Sequence, residues 1–242
     1  KVVFKREADY SDHELPNNRG KNNFDLMVYE FFLDNTAMLE AFKGDRYDVR
    51  VENSAKSWAT EYDFPAVKDG RVVLQTFTSK VPSPMQAFVF NTRREKFADS
   101  RVRQAFNLAF DFEWMNKNMF YNQYDRTRSY FQNTEYEATG LPSDAEVAVL
   151  SEFKDQIPPR VFTEEFQPPV TDGSGRIRTQ MRTAFKLLKE AGWVLKNKVM
   201  TNEKTGQTLS FELLIYSPTT ERISIPLQKN PFSLEKLIWI LT

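Results

Sequence analysis

The 242-residue sequence contains no cysteine and a single histidine. The first absence removes disulfides, thiol nucleophiles and thiolate metal sites, and the second leaves only His13 for imidazole chemistry. Glycine is scarce, with 8 residues against a usual share of about 7%. No apolar run reaches the length of about 18 residues that a membrane-spanning helix needs. Acidic and basic side chains balance at 33 each, so the formal net charge is zero and no general attraction for polyanions is expected. The glycine-rich phosphate loops of dinucleotide and triphosphate sites and the G-x-S-x-G elbow of serine hydrolases are also missing. No metal and no cofactor are expected. The chain opens at Lys1 directly on an apolar stretch, without an initiator methionine or the regions of a signal peptide, and reads as a processed or truncated start.

What the chain has in quantity is aromatic bulk: 21 Phe, 9 Tyr and 4 Trp. With 40% apolar residues it has the composition of a soluble globular protein able to bury an ordinary core. Strand-like and helix-like patterns alternate along it, which predicts the α/β class. Residues 2–4 and 24–32 are rich in strand formers, with loop between them up to Gly20. Asp34 or Asn35 caps a helix carrying Met38, Ala41 and Phe42 on one face and ending at Gly44. Residues 46–51 then read as extended, completing a strand, helix, strand unit. A short helix over 53–62 turns Trp58 inward, and 71–78 and 85–90 read as strands on either side of Pro82-Ser83-Pro84, a stiff connection suited to a domain crossing.

Val102, Ala105, Phe106, Ala109 and Phe110 recur at helical spacing from a start at Asp99 or Ser100. Asp111 caps a second helix that buries Trp114, Met115, Met119 and Phe120. Residues 121–136 form an aromatic loop without regular period. Ser143 with Glu146 matches a capping box, and 157–178 reads as a long surface excursion packed by its own aromatics. Helix resumes at Arg178, with Met181, Phe185, Leu188 and Ala191 on one side and Gly192 as its stop. A hairpin follows, with Trp193 to Met200 leading through Asn202 to Gly206 into Leu209 to Tyr216, where Leu209, Phe211, Leu213 and Ile215 alternate as one buried sheet face. Residues 220–227 are expected to be helical, and the apolar end after Pro231 has no packing partner evident in the sequence.

Few residues carry chemistry. His13, between Asp12 and Glu14, reads as a solvated loop residue. Asp172, Ser174 and Arg176 alternate like the start of a calcium loop, but an arginine in a ligand position repels the ion, so the segment reads as a turn. The pairs Glu164-Glu165 and Asp144/Glu146 read as solvated faces, with a carboxylate-dependent hydrolase through Glu164 and Glu165 as a remote alternative. The cations Arg93, Arg94, Lys96, Arg101 and Arg103 are broken up by Glu95 and Asp99, and nucleic-acid binding is not expected. The loop from Tyr121 to Phe131, with Arg126 and Arg128, offers flat apolar contact beside charged donors, a composition that suits either packing or ligand contact.

Phe88-Val89-Phe90-Asn91-Thr92, followed by Phe97-Ala98-Asp99-Ser100-Arg101-Val102-Arg103-Gln104-Ala105 and Leu108-Ala109-Phe110-Asp111, resembles the extracytoplasmic solute-binding proteins (family 5) of oligopeptide and dipeptide ABC transporters. Phe110-Asp111-Phe112-Glu113-Trp114, Thr127-Arg128-Ser129-Tyr130-Phe131, Ala138-Thr139-Gly140-Leu141-Pro142 and the stretch from Gln167 to Gly175 are similar to its YejA-type subgroup. The resemblance runs to about Asn230 and implies a two-lobed α/β periplasmic binding protein-like fold of the type II, peptide-binding class, here incomplete at both ends. It implies part of a first lobe over residues 1–87, an interlobe crossing over 88–92 and part of a second lobe over 93–242. For the end of the chain it implies a continuing amphipathic helix, from which Pro231-Phe232-Ser233 departs.

The implied function is non-catalytic: a peptide ligand is held in the interlobe cleft and delivered to the cognate permease of an ABC transporter, by a protein that is periplasmic and a monomer when complete. Tyr130, Phe131 and Tyr216 are the ligand-binding candidates, and Asn91 and Thr92 the hinge candidates. A segment acting only as a structural or protein-interaction module is the alternative from another class.

Overall fold

The computed structural model describes residues 1–7, 14–78, 81–83, 85–215 and the backbone of 233–239. His13, Pro84, Tyr216 and the helix expected over 220–227 lie outside the described residues. The chain divides into two compact units, Lys1–Gln75 and Thr76–Thr242. No helix among the described residues is long and apolar enough to cross a membrane.

In the first unit, strand β1 (Val2–Lys5) pairs antiparallel with β2 (Leu26–Tyr29), placing Val2 opposite Tyr29 and Lys5 opposite Leu26. Helix α1 (Asn35–Lys43) starts where the Asp34 carboxylate accepts the Ala37 N–H at 2.8 Å and ends at Gly44, so both local signals act as expected. Leu39 and Ala41 are its buried residues. Helix α2 (Ala55–Thr60) is capped by Ser54, and the single turn α3 (Pro65–Lys68) begins on a proline, whose missing N–H is no loss at that position.

Residues 46–51 do not form the expected strand. Val49 and Val51 point outward, each 79% exposed, and Arg50 between them points in. The alternation that suggested a strand is present with its faces reversed, because a buried acceptor cluster takes the arginine and no ladder forms beside it. The Arg50 and Glu52 side chains are only 5% and 6% exposed. Arg50 Nε donates to the Tyr62 hydroxyl at 2.9 Å and Nη2 to Glu52 Oε2 at 3.0 Å. Tyr62 in turn donates to Glu52 Oε2 at 2.9 Å, and Glu52 Oε1 accepts the Ser54 N–H at 2.8 Å. Residues 71–78 likewise form no strand, with Val73 and Phe77 exposed.

The second unit is built on two helices. After the single turn α4 (Glu95–Ala98), helix α5 (Ser100–Ala109), capped by Asp99, packs Val102, Ala105, Phe106 and Ala109 against Ala184 and Leu188 of a later helix, Arg178–Glu190. The alanines keep the two helix backbones close, and Phe97, Trp193, Met200, Leu209 and Phe211 close the same core. Phe88 and Phe90 pack on it from residues 85–90, which keep the in-out alternation of a strand, with Val89 92% exposed, yet no described strand pairs with them. The expected strand is therefore an extended segment.

Helix α6 (Phe112–Met119) follows α5 across Asp111, burying Met115 fully with Phe120 just beyond. Helix α7 (Asp144–Leu150) carries the complete capping box of Ser143 and Glu146, and α8 is the Arg178–Glu190 helix. Gly192, at φ 82°, ends that segment and leads into the hairpin of β3 (Trp193–Lys196) and β4 (Val199–Asn202). Asn197 and Lys198 both take positive φ at its turn, the primed geometry that matches strand twist, so the strand expected over 193–200 is folded in two, and the turn expected from Asn202 to Gly206 follows with a single bridge of Thr201 to Thr208. Strand β5 (Ser210–Ile215) buries Phe211 and Ile215, following Leu209, as the alternation predicted. Strand β6 (Ser233–Trp239) runs parallel to β5, where the family resemblance implied helix, and gives the apolar end of the chain its partner.

Candidate ligand-binding loop

The loop after α6 is fixed by polar contacts at its base. The Asn116 side chain donates to the Tyr124 carbonyl at 2.7 Å and accepts the Tyr124 N–H at 3.2 Å, and Phe120 meets the Tyr124 ring edge-on at 4.9 Å. Arg126 is then drawn inward. Its guanidinium lies over the Phe110 ring at 5.6 Å and the Phe112 ring at 6.0 Å, donates to Asn107 Oδ1 at 2.6 Å, and donates to the Pro169 carbonyl. Burial lowers its basicity, and the charge of Glu113 offsets part of that.

Beyond Arg126 the chain makes a tight turn. Phe131 N donates to Ser129 Oγ at 3.1 Å, and the Thr134 hydroxyl to the Phe131 carbonyl at 2.6 Å. Asn133 takes φ 63°, and its N–H donates to Glu137 Oε2 at 2.8 Å. The turn is tied to the segment before the core: Ser83 N donates to the Gln132 carbonyl at 3.1 Å, and Asn133 Nδ2 to the Val81 carbonyl. Held this way, Tyr130, Phe131 and Tyr136 are 77%, 58% and 70% exposed, with Phe131 and Tyr136 ring centroids 6.3 Å apart. Two of the three ligand-binding candidates thus stand on one turn. Tyr136 stands beside them, which the sequence did not indicate, because a tyrosine in an aperiodic loop carries no signal of which way it faces.

A second polar cluster was not legible in the sequence. Asp111, read only as a helix cap, is buried, and its Oδ1 accepts both the Trp114 N–H at 3.1 Å and the Thr171 hydroxyl. Thr171 N donates to Glu113 Oε2 at 3.0 Å. The segment expected to pack through its own aromatics is instead anchored here, while Phe166 is 62% exposed. Its glycines are shaped by the contact: Gly175 has φ 78°, and a Cβ there would lie 3.0 Å from the Trp114 indole. Gly175→Ala should therefore destabilise the second unit by about 1–2 kcal/mol through backbone strain, with more from the clash. Denaturant unfolding of the variant checks this, and an unchanged midpoint would reject it.

The remaining candidates have defined local roles. Asn91 Oδ1 accepts the Arg93 N–H at 3.3 Å, the Asn91 carbonyl accepts the Arg94 N–H at 3.0 Å, and Thr92 is exposed. Glu164 and Glu165 are both exposed, and Glu165 accepts the Gly140 N–H at 3.2 Å. Asp172 accepts the Ser174 N–H at 2.9 Å, a turn contact that, after the Ser174 side chain, holds its carboxyl below the usual range. Arg101 is spent on Asp99 and the Glu190 carbonyl, Arg103 on the carbonyls of Phe97 and Ala98, and Lys96 on the Ser210 carbonyl.

Over 229 residues the chain is 44% identical to the uncharacterized protein YejA of Escherichia coli K12, and over 231 residues it is 43% identical to the probable peptide-binding protein YejA of Agrobacterium fabrum. Each alignment takes in 95% of this chain and 38% of the relative, so the chain spans well under half the length of these relatives. Among solved structures, NikA of Brucella suis, determined with Fe(III)-EDTA, superposes with a TM-score of 0.59 at 20% identity, covering 97% of this chain and 40% of that one. That likeness is one of fold, the two-lobed architecture of which this chain spans a part. The family described as bacterial extracellular solute-binding proteins, family 5 Middle, is one of binding proteins rather than catalysts, and it matches residues 1–230. The chain belongs to the bacterial extracellular solute-binding proteins of family 5.

Proposed function

We propose that this chain is part of a periplasmic protein that binds peptides or oligopeptides in an interlobe cleft and passes them to an ABC transporter permease. The observation that carries the reading is the trio of exposed rings, Tyr130, Phe131 and Tyr136, on a turn held rigid by its own hydrogen bonds, in a chain of the solute-binding family. Exposed aromatics on a fixed frame bind side chains with little loss of rotamer freedom. The name of the Agrobacterium relative supports a peptide as the ligand. In this reading residues 1–87 and 93–242 belong to the two lobes, and 88–92 is the crossing, with Asn91 and Thr92 at the hinge and Phe88 and Phe90 anchoring it to the core of the second unit. Tyr216 is kept as a third ligand contact.

Replacing Tyr130 and Phe131 together by alanine should weaken peptide binding by about tenfold or more, since exposed anchors of this kind carry much of the binding energy. Titration calorimetry on the full-length polypeptide measures it, and an unchanged affinity would remove both residues from the site. The rival reading, a segment that serves only as an interaction module, is favoured by the apolar β1–β2 ribbon, where Phe4, Leu26 and Val28 are exposed. It predicts self-association without saturable peptide binding, which size-exclusion chromatography with a peptide titration resolves.

A further inference from the structure

The turn that carries the exposed rings also borders an open surface cavity of about 270 Å³, lined by Ser83, Asp125, Arg128, Gln132, Asn133 and Glu137. Resting on the peptide-binding reading, we propose that this cavity is a subsite for a cationic group of the ligand, an ammonium or a guanidinium. Its charges decide the sign. Arg128 Nε faces Glu137 Oε1 at 3.6 Å, so the one cation among the described lining residues is matched by one of the two acids. Glu137 is further engaged, its Oε2 accepting the Asn133 N–H at 2.8 Å.

The amides are committed as well. Gln132 Oε1 accepts the Arg128 N–H at 3.0 Å, its carbonyl accepts the Ser83 N–H at 3.1 Å, and Asn133 Nδ2 donates to Val81. Asp125 alone has no hydrogen-bond or ion-pair partner among the described residues, and it is exposed at the rim. Among the described residues, the lining therefore carries one carboxylate that no cation pairs. An anion entering it would face two carboxylates, whereas a cation meets a carboxylate that is free to pair.

The rings of Tyr130, Phe131 and Tyr136 come from the same turn, and aromatic faces attract cations and accept the aliphatic stems of basic side chains. A peptide presents this chemistry in two places, its amino terminus and its lysine or arginine side chains. The probes are the tetrapeptide Lys-Ala-Phe-Ala, its N-acetyl form, the form with norleucine in place of lysine, and the form with both changes, titrated into the native full-length polypeptide and into Asp125→Asn. Asparagine keeps the shape of an exposed side chain, so folding is preserved.

The substitution should weaken the doubly charged peptide by about fivefold to tenfold at low salt, less at 0.5 M salt, and leave the doubly blocked peptide unaffected. A weakening that vanishes on acetylation assigns the site to the amino terminus. One that vanishes with norleucine assigns it to the side chain. Equal affinity of the native and Asp125→Asn polypeptides for all four probes overturns the subsite and leaves peptide binding standing. Failure of the native polypeptide to bind any of the four overturns the peptide reading together with it.

Discussion

Phe106→Ala is expected to lower the stability of the second unit by about 4 kcal/mol, against a usual total of about 5–15 kcal/mol. Phe106 is 3% exposed, and its ring centroid lies 5.2 Å from that of Phe211, 5.3 Å from Phe90 and 5.9 Å from Phe97. Three segments therefore meet on this one ring, the extended stretch before α4, the α4 turn and, from more than 100 residues away, β5. Truncation removes the apolar area of a large side chain and leaves a cavity. The core it shares with α5 and α8 is rich in alanines without rotamers, Ala105, Ala109 and Ala184, all fully buried. Collapse is restricted and the cost falls in the upper range. Phe106→Leu, which keeps most of the volume, should cost less than about 1.5 kcal/mol. Denaturant unfolding followed by near-ultraviolet dichroism measures both, and equal losses for the two variants would contradict the packing argument.

Glu52→Ala should cost the first unit about 3–5 kcal/mol, because it strands the Arg50 guanidinium in a site where that side chain is 5% exposed. Replacing both partners by apolar residues of similar volume should cost much less, since no charge is then left unpaired. The pair also sets a pH window. Burial works to raise the Glu52 carboxyl, but the Ser54 N–H, the Tyr62 hydroxyl and Arg50 outweigh it and hold the group below its ordinary value. Its contribution is therefore present above the unfolded carboxylate value, about 4.3, and is lost as pH falls through the lower folded value. Tyr62 acts at the other end. Burial first, then the hydrogen bond to Glu52, push its hydroxyl up to about 12. Its stabilisation is present below the unfolded value of about 10 and is lost as pH rises toward the folded one. Hydrogen exchange at the α1 and α2 amides should show constant protection between these limits in the native chain, and Glu52→Gln should lose the acid limb. An unaltered acid limb in that variant would reject the assignment.

The helices were legible because their signals are local. Asp34, Asp99, Asp111 and Ser143 cap the helices they precede, and the three- and four-residue spacing of Val102, Ala105, Phe106 and Ala109 marks the face that packs. The turn from Asn202 to Gly206 was legible too, but the tighter one at Asn197-Lys198, which splits residues 193–200 into β3 and β4, was not. The extended segments over 46–51, 71–78 and 85–90 were misread as strands because a strand is completed by a neighbour, and alternation says nothing of whether one is present or which face is buried. The Asp111–Thr171 contact joins residues 60 positions apart, and the cavity joins Ser83 to Glu137. Neither leaves a periodic trace.

The absent cysteine, the lone histidine and the missing phosphate loops already excluded most cofactor and nucleophile chemistry, and the motifs from Phe88 to Asp111 carried the family. The aromatic excess was ambiguous at that level, since an aromatic residue bound for the core and one left at the surface look alike in a list of residues. Tertiary structure decided between them. Phe97, Phe106 and Phe211 are sealed between α5, α8 and β5, whereas Tyr130, Phe131 and Tyr136 are held outward by a turn whose hydrogen bonds reach back to Val81 and Ser83. Burial is a property of long-range packing, and local sequence biases a residue's backbone conformation without specifying which residues it will meet in space.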